Sequence, residues 1–501
     1  MTAGNLRTLA ERAFKWSALT TLGRFGLQLV AQIVLARLLG PSNYGVYGLG
    51  MVVLTFAAFL SGNSFSYILM LQKDVSREDI RFSFTWQTIA GLVSAAAMFA
   101  AAPLIASFFG DPRIEAMVRW LSLACLLMAL NGPSSCLLQR DLNFRALGLI
   151  QLVSYAAGYL AVGVPMALNG FGAEALAAAA VVQAAVALAG CYAVRPHSLR
   201  PLFSNPLSPE TLATGRTVFF TNIGNWLLSN LDRIVIGRLL NAHAVGLYNV
   251  AYNIASIPNS LLISAMQPTF LAAGARLQNE PQQLAQAWIT LLATVVVFLT
   301  PAAVVMALLA GDLVNLVYGP AWTEAAWVMA LLFLCIPAWA CWGLSTPVLW
   351  NTGRKHLEVR LQLPVLALAV PAWWLVAPHG IRGVAAVSAV VIFARAAVIV
   401  AAGLRALSMD WRPLVAIALR GLALAAVGAG AVLASRHAVQ WSHPGFALAA
   451  GAASSGCALL LVAAACPALL GPQARSVVSR FIPSVGPRWA GPAAAAPEVR
   501  P

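Results

Sequence analysis

Long apolar stretches follow one another along almost the whole chain, separated by short groups of polar, charged and turn-forming residues. A stretch of about 20 apolar residues is long enough to cross the hydrocarbon core of a bilayer as an α-helix. The pattern predicts about fourteen spans, at residues 16–39, 44–71, 82–109, 116–138, 147–168, 173–194, 217–240, 245–274, 285–311, 322–350, 357–377, 381–404, 412–434 and 445–470. We therefore expect an all-α polytopic membrane protein.

Basic residues are distributed unequally between the two sides that these spans define. With the N-terminus in the cytoplasm, one side receives most of the Lys and Arg residues outside the spans. The opposite side keeps four arginines: Arg113, Arg119, Arg382 and Arg436. Because cytoplasmic loops carry an excess of Lys and Arg, this distribution predicts that both termini are cytoplasmic.

A repeated motif divides the chain into two similar halves. Residues 33–47 return as residues 234–248, with Ile, Val, Arg, Leu, Leu, Gly and Tyr in register at an offset of 201. Gly170 and Gly380 begin a second, shorter echo. Both copies start on the same side of the membrane, which predicts two parallel repeats. The predicted organisation is a six-helix bundle at 1–194, a cytoplasmic linker at 195–216, a second six-helix bundle at 217–404, two additional helices at 405–470 and a disordered cytoplasmic tail at 471–501.

Composition narrows the function classes. The chain is 60% hydrophobic and 9% charged, so no polar stretch is long enough for a separate soluble domain. Its net charge of +15 would suit nucleic acid, but no basic run is interleaved with aromatic residues. We attribute the charge to cytoplasmic loops beside anionic lipid. The seven cysteines lie in apolar stretches without metal-like spacing and are predicted to be packing residues.

Several charged residues fall inside the predicted spans. A charge at the bilayer centre costs about 2.5–3.5 kcal/mol, so each should face a partner or a hydrated cavity. They are Asp232 and six arginines, Arg24, Arg37, Arg233, Arg238, Arg395 and Arg420. We interpret Arg37 and Arg238, near the outer helix ends, as structural or gating residues, and Arg420 as an anchor at the cytoplasmic side.

Two polar stripes carry most of the remaining charges. Helical spacing puts Asn222, Asn225, Ser229, Asp232 and Arg233 on one face of span 217–240, and Arg24, Gln28 and Gln32 on one face of span 16–39. A two-fold arrangement of the repeats would make both faces line a central, net cationic cleft suited to phosphate or pyrophosphate. The predicted substrate-binding residues are Arg24, Gln28, Gln32, Asn222, Asn225, Asp232, Arg233 and Arg395. The alternative interpretation of Arg24 and of the Asp232–Arg233 pair is a structural ion pair.

Two segments resemble a known family. They are Ala-Gln-Ile-Val-Leu-Ala-Arg-Leu-Leu-Gly-Pro-Ser-Asn-Tyr-Gly-Val-Tyr at 31–47 and Asn-Leu-Asp-Arg-Ile-Val-Ile-Gly-Arg-Leu-Leu at 230–240. Both are similar to the Wzx-type oligosaccharide flippases, the polysaccharide branch of the multidrug/oligosaccharidyl-lipid/polysaccharide exporter superfamily, of the exopolysaccharide-cluster type. The resemblance covers about residues 10–410.

The resemblance implies a substrate and a mechanism. A family member would move an undecaprenyl-pyrophosphate-linked oligosaccharide across the bacterial inner membrane by alternating access, for exopolysaccharide or lipopolysaccharide synthesis. Arg24 and Arg233 would bind the headgroup, and Asp232 would serve in pairing or ion coupling. The resemblance also implies no bound cofactor, turnover by a proton or sodium gradient, and a polymerase and co-polymerase of the same pathway as partners.

Two other function classes compete with a flippase. A multidrug exporter of the same superfamily favours acids in its cavity, whereas the charges predicted here are mainly basic. A membrane-embedded glycan polymerase or ligase needs a large external loop with acids or histidines, and the predicted external loops are short. The sequence carries no nucleophile elbow or P-loop, and we expect a transporter, not an enzyme.

Overall fold

The computed structural model describes residues 3–61, 69, 75–204, 226–227, 229–439 and 443–475, and every regular element among them is helical. The α-helices are α1 (Ala3–Leu60), α2 (Arg77–Phe109), α3 (Arg113–Arg140), α4 (Phe144–Tyr155), α5 (Val164–Leu168), α6 (Glu174–Val194), α7 (Ala242–Arg276), α8 (Pro281–Leu308), α9 (Ala310–Val317), α10 (Ala325–Leu334), α11 (Ile336–Asn351), α12 (His356–Val376), α13 (Gly380–Ala406), α14 (Arg412–Ala438) and α15 (Pro444–Ala465). Residues 229–239 are also helical. A π-helical segment, Ala156–Gly163, joins α4 to α5.

The described helices are long and apolar enough for a multi-pass membrane protein. Nine of them could cross a bilayer, or ten if the bent pair α10 and α11 forms one span. Two of the nine, 20–60 and 356–406, contain 41 and 51 residues. At 1.5 Å per residue the longer one would measure about 75 Å, more than twice the ~30 Å hydrocarbon core, so it must provide two crossings. The all-α fold class is confirmed, while the count of fourteen remains a prediction.

Helix α1 is broken at one glycine. Gly40 has φ 72° and ψ 172°, a backbone conformation that is open almost only to glycine. Pro41 follows and restarts the helix, because proline fixes φ near its helical value and needs no hydrogen-bond acceptor there. The same break recurs 201 residues later, where residues 229–239 end and Asn241 accepts a hydrogen bond from the Ala244 N–H at 2.9 Å. Each repeat therefore opens with a helical hairpin.

The chain forms two compact units, Met1–Asn249 and Val250–Pro501, with the division inside α7. Unit 1 thus contains the first repeat and the opening hairpin of the second. Within it, α2 packs against α3, α3 against α6, and α1 against α3 and α4. A capping box between Ser76 and Asp79 starts α2, and Gly110 at φ 70° ends it.

The beginning of the predicted linker lies against α2. Arg81 donates two hydrogen bonds to the carbonyls of Arg200 and Pro201, at 3.1 and 3.2 Å. The Leu202 N–H donates to the Thr85 hydroxyl at 2.9 Å. Residues 195–204 are therefore fixed to unit 1, and residues 205–216 lie outside the described chain.

Unit 2 joins the two additional helices to the second repeat. Helix α8 packs against α14 and α11, α13 packs against α11 and α12, and α15 packs against α14. Arg436, near the end of α14, forms an ion pair with Asp312 and donates to the Leu308 carbonyl. This contact fixes α14 to the end of α8 and the start of α9. The predicted domain boundaries remain predictions.

Candidate substrate-binding residues

The first predicted stripe lies on α1. Arg24 is exposed, and its Nη1 donates to Oε1 of Gln151 on α4 at 3.1 Å. Gln28, one turn later, is also exposed. Gln32 is half-buried, and its Nε2 is buried without a hydrogen-bond partner in the part of the chain that the structure describes. The stripe therefore runs from an exposed arginine to a buried, unsatisfied amide.

The second stripe contains two adjacent charges that are held by different partners. The Tyr248 hydroxyl donates to Asp232 Oδ2 at 2.7 Å. Arg233 Nε donates to Asn249 Oδ1 at 2.7 Å, and its Nη1 donates to the Ser229 carbonyl at 2.9 Å. Both charged residues are half-buried, whereas Tyr248 and Asn249 on α7 are buried. Consecutive residues of α7 thus hold consecutive charges of the preceding helix.

Arg395 occupies an equivalent kind of environment in unit 2. Its Nε and Nη2 donate to Gln362 Oε1 at 3.0 and 2.8 Å. Its guanidinium lies over the ring of Trp342, 4.5 Å from the centroid. Gln362 is almost fully buried, and its Nε2 donates to the Glu358 carbonyl at 3.0 Å, which fixes the amide orientation. Arg395 is therefore held by an oriented amide and an aromatic face.

Three intramembrane arginines share one type of partner, a side-chain amide oxygen. The pairs are Arg24 with Gln151, Arg233 with Asn249, and Arg395 with Gln362. A carboxylate partner cancels the charge of an arginine, whereas an amide oxygen accepts its hydrogen bond and leaves the charge in place. Arg24 and Arg395 of these amide-held arginines lie in helices that are long enough to span a membrane, and Arg233 lies in the described helix 229–239.

The other predicted residues have different positions. Asn222 and Asn225 lie outside the described residues. Arg37 and Arg238, the arginines of the repeat, are both exposed. Arg238 lies over the ring of Phe108 at 5.4 Å, on the last turn of α2. This is a cation–π contact at a helix end, and the structural or gating role of Arg238 stays a prediction.

The opening hairpins of the two repeats meet at equivalent glycines. A Cβ placed on Gly45 would overlap the Ala242 carbonyl, and one on Gly246 would overlap the Pro41 carbonyl. Gly45 and Gly246 are 201 residues apart, as are Pro41 and Ala242. The contact is therefore reciprocal, as in a two-fold interface. It brings the backbones of α1 and α7 together within unit 1.

A surface cavity between α2 and α3 is separate from these residues. Its volume is about 490 Å³, and its lining is mostly apolar. Arg119 at this cavity pairs with Glu115 at 2.8 Å and lies over Phe99. None of the predicted site residues lines it. Among the described residues, no group of three or more His, Cys, Asp or Glu is placed to bind a metal.

The sequence patterns did not predict the hydrogen-bond partners of the charged site residues. Gln151 and Gln362 were not predicted, although an amide in an apolar span is a visible signal. Their pairing is not visible, since Gln151 is 127 residues from Arg24. In the sequence Tyr248 stands out only as part of the repeat, and its hydrogen bond to Asp232 is visible only in the fold.

Comparison with known proteins identifies the family. The profile described as "Polysaccharide biosynthesis protein" matches residues 34–327, more than half of the chain. The chain belongs to this family. The succinoglycan biosynthesis transport protein ExoT of Rhizobium meliloti is 30% identical over 77% of this chain and 74% of its own. The lipopolysaccharide biosynthesis protein WzxC of Escherichia coli is 26% identical over 66% and 67%.

The fold is that of a solved flippase structure. The lipid II flippase MurJ in an inward closed conformation superimposes with a TM-score of 0.71, over 93% of this chain and 99% of the other. At 12% identity this likeness concerns the fold alone. The resemblance to Wzx-type flippases is confirmed, and the chain is a multi-pass membrane protein of a transporter family, not an enzyme.

Proposed function

We propose that this protein moves an undecaprenyl-pyrophosphate-linked oligosaccharide across the bacterial inner membrane by alternating access, with both termini in the cytoplasm. Its relatives act in succinoglycan transport and lipopolysaccharide biosynthesis, which supports a glycan cargo. The arginines of the predicted site, Arg24, Arg233 and Arg395, bind the pyrophosphate headgroup. Gln28 and Gln32 continue the polar surface along α1.

The amide-held arginines are the observation that carries this proposal. A pyrophosphate is anionic and multidentate, and the guanidinium group matches phosphate oxygens through paired donors. An arginine already neutralised by a carboxylate would have to break an ion pair before binding. Arg24 is held by the Gln151 amide, and Arg233 by the Asn249 amide and the Ser229 carbonyl. A hydrogen bond of this kind, with a charged donor, is worth about 1.5–3 kcal/mol.

A multidrug exporter is the second candidate function. Cationic drugs require exposed negative charge, and Asp232 is the acid on the second stripe. Its carboxylate accepts a hydrogen bond from the Tyr248 hydroxyl, while a guanidinium occupies the next position of the same helix. This environment favours anions over cations.

Export measurements in cells test the proposal. We expect Arg24→Ala and Arg233→Ala each to abolish polymer export and to leave the lipid-linked oligosaccharide in the cytoplasmic leaflet. Arg382→Ala, an exposed arginine outside both stripes, is the matched control and should export normally. Normal export by both stripe variants, at protein levels equal to the control, would overturn the headgroup assignment.

A further inference from the structure

The second repeat carries a polar cluster that the first repeat lacks. Repeat positions 201 residues apart pair Arg233 with Gln32, and Asn249 with Gly48. In the second repeat Arg233 Nε reaches Asn249 Oδ1 at 2.7 Å. In the first, residue 48 has no side chain, and Gln32 Nε2 has no hydrogen-bond partner among the described residues.

The missing side chain of Gly48 is what makes room for Asn249. A Cβ on Gly48 would overlap Asn249 Nδ2 and lie 3.4 Å from its Cγ. Asn249 is 8% exposed, so its amide is enclosed between α1 on one side and Arg233 on the other. An amide confined in this way has few orientations, and the one it adopts directs Oδ1 at the guanidinium.

Tyr248, the residue before Asn249, holds the Asp232 carboxylate in a similar way. Tyr248 is fully buried, and its hydroxyl donates to Asp232 Oδ2 at 2.7 Å. Its repeat counterpart, Tyr47, instead shares a hydrogen bond with the Tyr159 hydroxyl at 2.6 Å. Adjacent residues of α7 thus hold Asp232 and Arg233 in separate hydrogen bonds.

We propose that Asn249, seated in the space left by Gly48, is a positioning residue that orients the Arg233 guanidinium toward the diphosphate of the cargo. This inference rests on the proposed function. Asn249 does not touch the cargo: its Oδ1 accepts a hydrogen bond from Nε of Arg233, the Ser229 carbonyl accepts one from Nη1, and the two contacts together fix the plane of the guanidinium. At the equivalent positions of the first repeat, Gln32 and Gly48 replace both members of this pair.

Binding of a soluble diphosphate tests the inference in a double-mutant cycle. The probe is farnesyl diphosphate, titrated calorimetrically into the purified full-length protein in detergent. We expect Asn249→Leu, which keeps the branched shape of the side chain and removes the acceptor, to weaken binding about tenfold, the equivalent of ~1.4 kcal/mol. In an Arg233→Gln background the same substitution should cause no further loss, because Asn249 acts through Arg233.

A substitution of Gly48 on α1 tests the position of the Asn249 amide independently. Gly48→Ala should displace Asn249 and weaken binding to a similar extent, again only when Arg233 is present. Gly26→Ala on the same helix is the control, since a Cβ there meets nothing within 4 Å. Asn249→Asp keeps an acceptor but neutralises Arg233, and should lose as much affinity as Arg233→Gln.

Each result has a defined meaning. An equal loss from Asn249→Leu with and without Arg233, or unchanged affinity in both Asn249→Leu and Gly48→Ala, would overturn the positioning role and leave the proposed function standing. Failure of the unsubstituted protein to bind farnesyl diphosphate would overturn the headgroup assignment itself. If Asn249→Leu does not fold, Gly48→Ala alone decides between these outcomes.

Discussion

The reciprocal glycine contact predicts a specific loss of stability. A Cβ on Gly45 would overlap the Ala242 carbonyl oxygen and lie 2.6 Å from its carbon and 2.8 Å from the Gly246 nitrogen. Real Cβ atoms essentially never come closer than 3.0 Å to another heavy atom, and the carbonyl oxygen overlaps most, so the two backbones must separate by more than about 1 Å. Overpacking of this kind costs typically ~1–3 kcal/mol, and the upper value applies because the obstacle is backbone that no rotamer change can move.

Helix propensity reduces this cost without cancelling it. Replacing a helical glycine by alanine gains about 1 kcal/mol, so the net destabilisation of Gly45→Ala is about 2 kcal/mol. For domains of comparable size this corresponds to a fall of roughly 4–8 °C in the unfolding midpoint. The assay is thermal unfolding of the purified protein in detergent, followed by tryptophan fluorescence.

The design separates the contact from a general effect of alanine. Gly246→Ala should cost about as much as Gly45→Ala, and the double variant less than the sum, because one separation of α1 and α7 relieves both overlaps. Gly26→Ala, with nothing within 4 Å of its Cβ, should melt at or above the unsubstituted protein. Melting of Gly45→Ala at the same temperature as Gly26→Ala would refute the reasoning.

Two further predictions concern the linker and the additional helices. Burial lowers the pKa of His197 below its usual value near 6.5, and its Nε2 has no partner among the described residues, so protonation below pH 6.5 should weaken the contact of residues 195–204 with α2. Amide hydrogen exchange of these residues should then rise between pH 7.5 and 5.5 beyond the intrinsic rate, and His197→Phe, which retains a ring beside Phe84 and Tyr192, should abolish the rise. Arg436→Met should lower the unfolding midpoint by the equivalent of about 1–2 kcal/mol, since it removes a partly exposed ion pair and a carbonyl hydrogen bond. The loss should shrink when Asp312 is already Asn, and an equal loss in both backgrounds would contradict the ion pair.

Hydrophobic patterning is sufficient for the all-α fold class because the membrane imposes it. In a bilayer every backbone N–H and C=O group must form its hydrogen bond within the helix, so each span is a long helix with apolar side chains. Such apolar runs can be recognised in the sequence without knowledge of how the helices pack. The break at Gly40 could be anticipated from Gly-Pro between two such runs. The π-helical segment Ala156–Gly163 had no counterpart in the hydropathy pattern, since it changes hydrogen bonding without changing which residues are apolar.

The hydrophobic pattern predicted which helix faces carry the charged residues of the site, but it did not predict their hydrogen-bond partners. The alternative prediction for Asp232 and Arg233, a structural ion pair that holds the two halves together, stays a prediction. Neighbouring residues of a helix diverge by about 100°, so each side chain meets a different residue of α7. Which residue it meets depends on the crossing of α7, and that crossing is fixed by a backbone contact at Gly246 that no side-chain pattern records.

The repeat explains why some positions are identical and others differ. At a two-fold contact each residue faces the neighbour of its own counterpart, so Gly45 and Gly246 are under the same steric constraint and both must lack a side chain. Gln32 and Arg233 differ between the repeats, and positions 48 and 249 meet each other, where Gly48 leaves room for the Asn249 side chain. The proposed cargo has one diphosphate and one glycan chain, and therefore no two-fold symmetry. Two identical stripes would offer its headgroup two equivalent positions, whereas Arg233 with Asn249 in the second repeat and Gln32 with Gly48 in the first offer different ones.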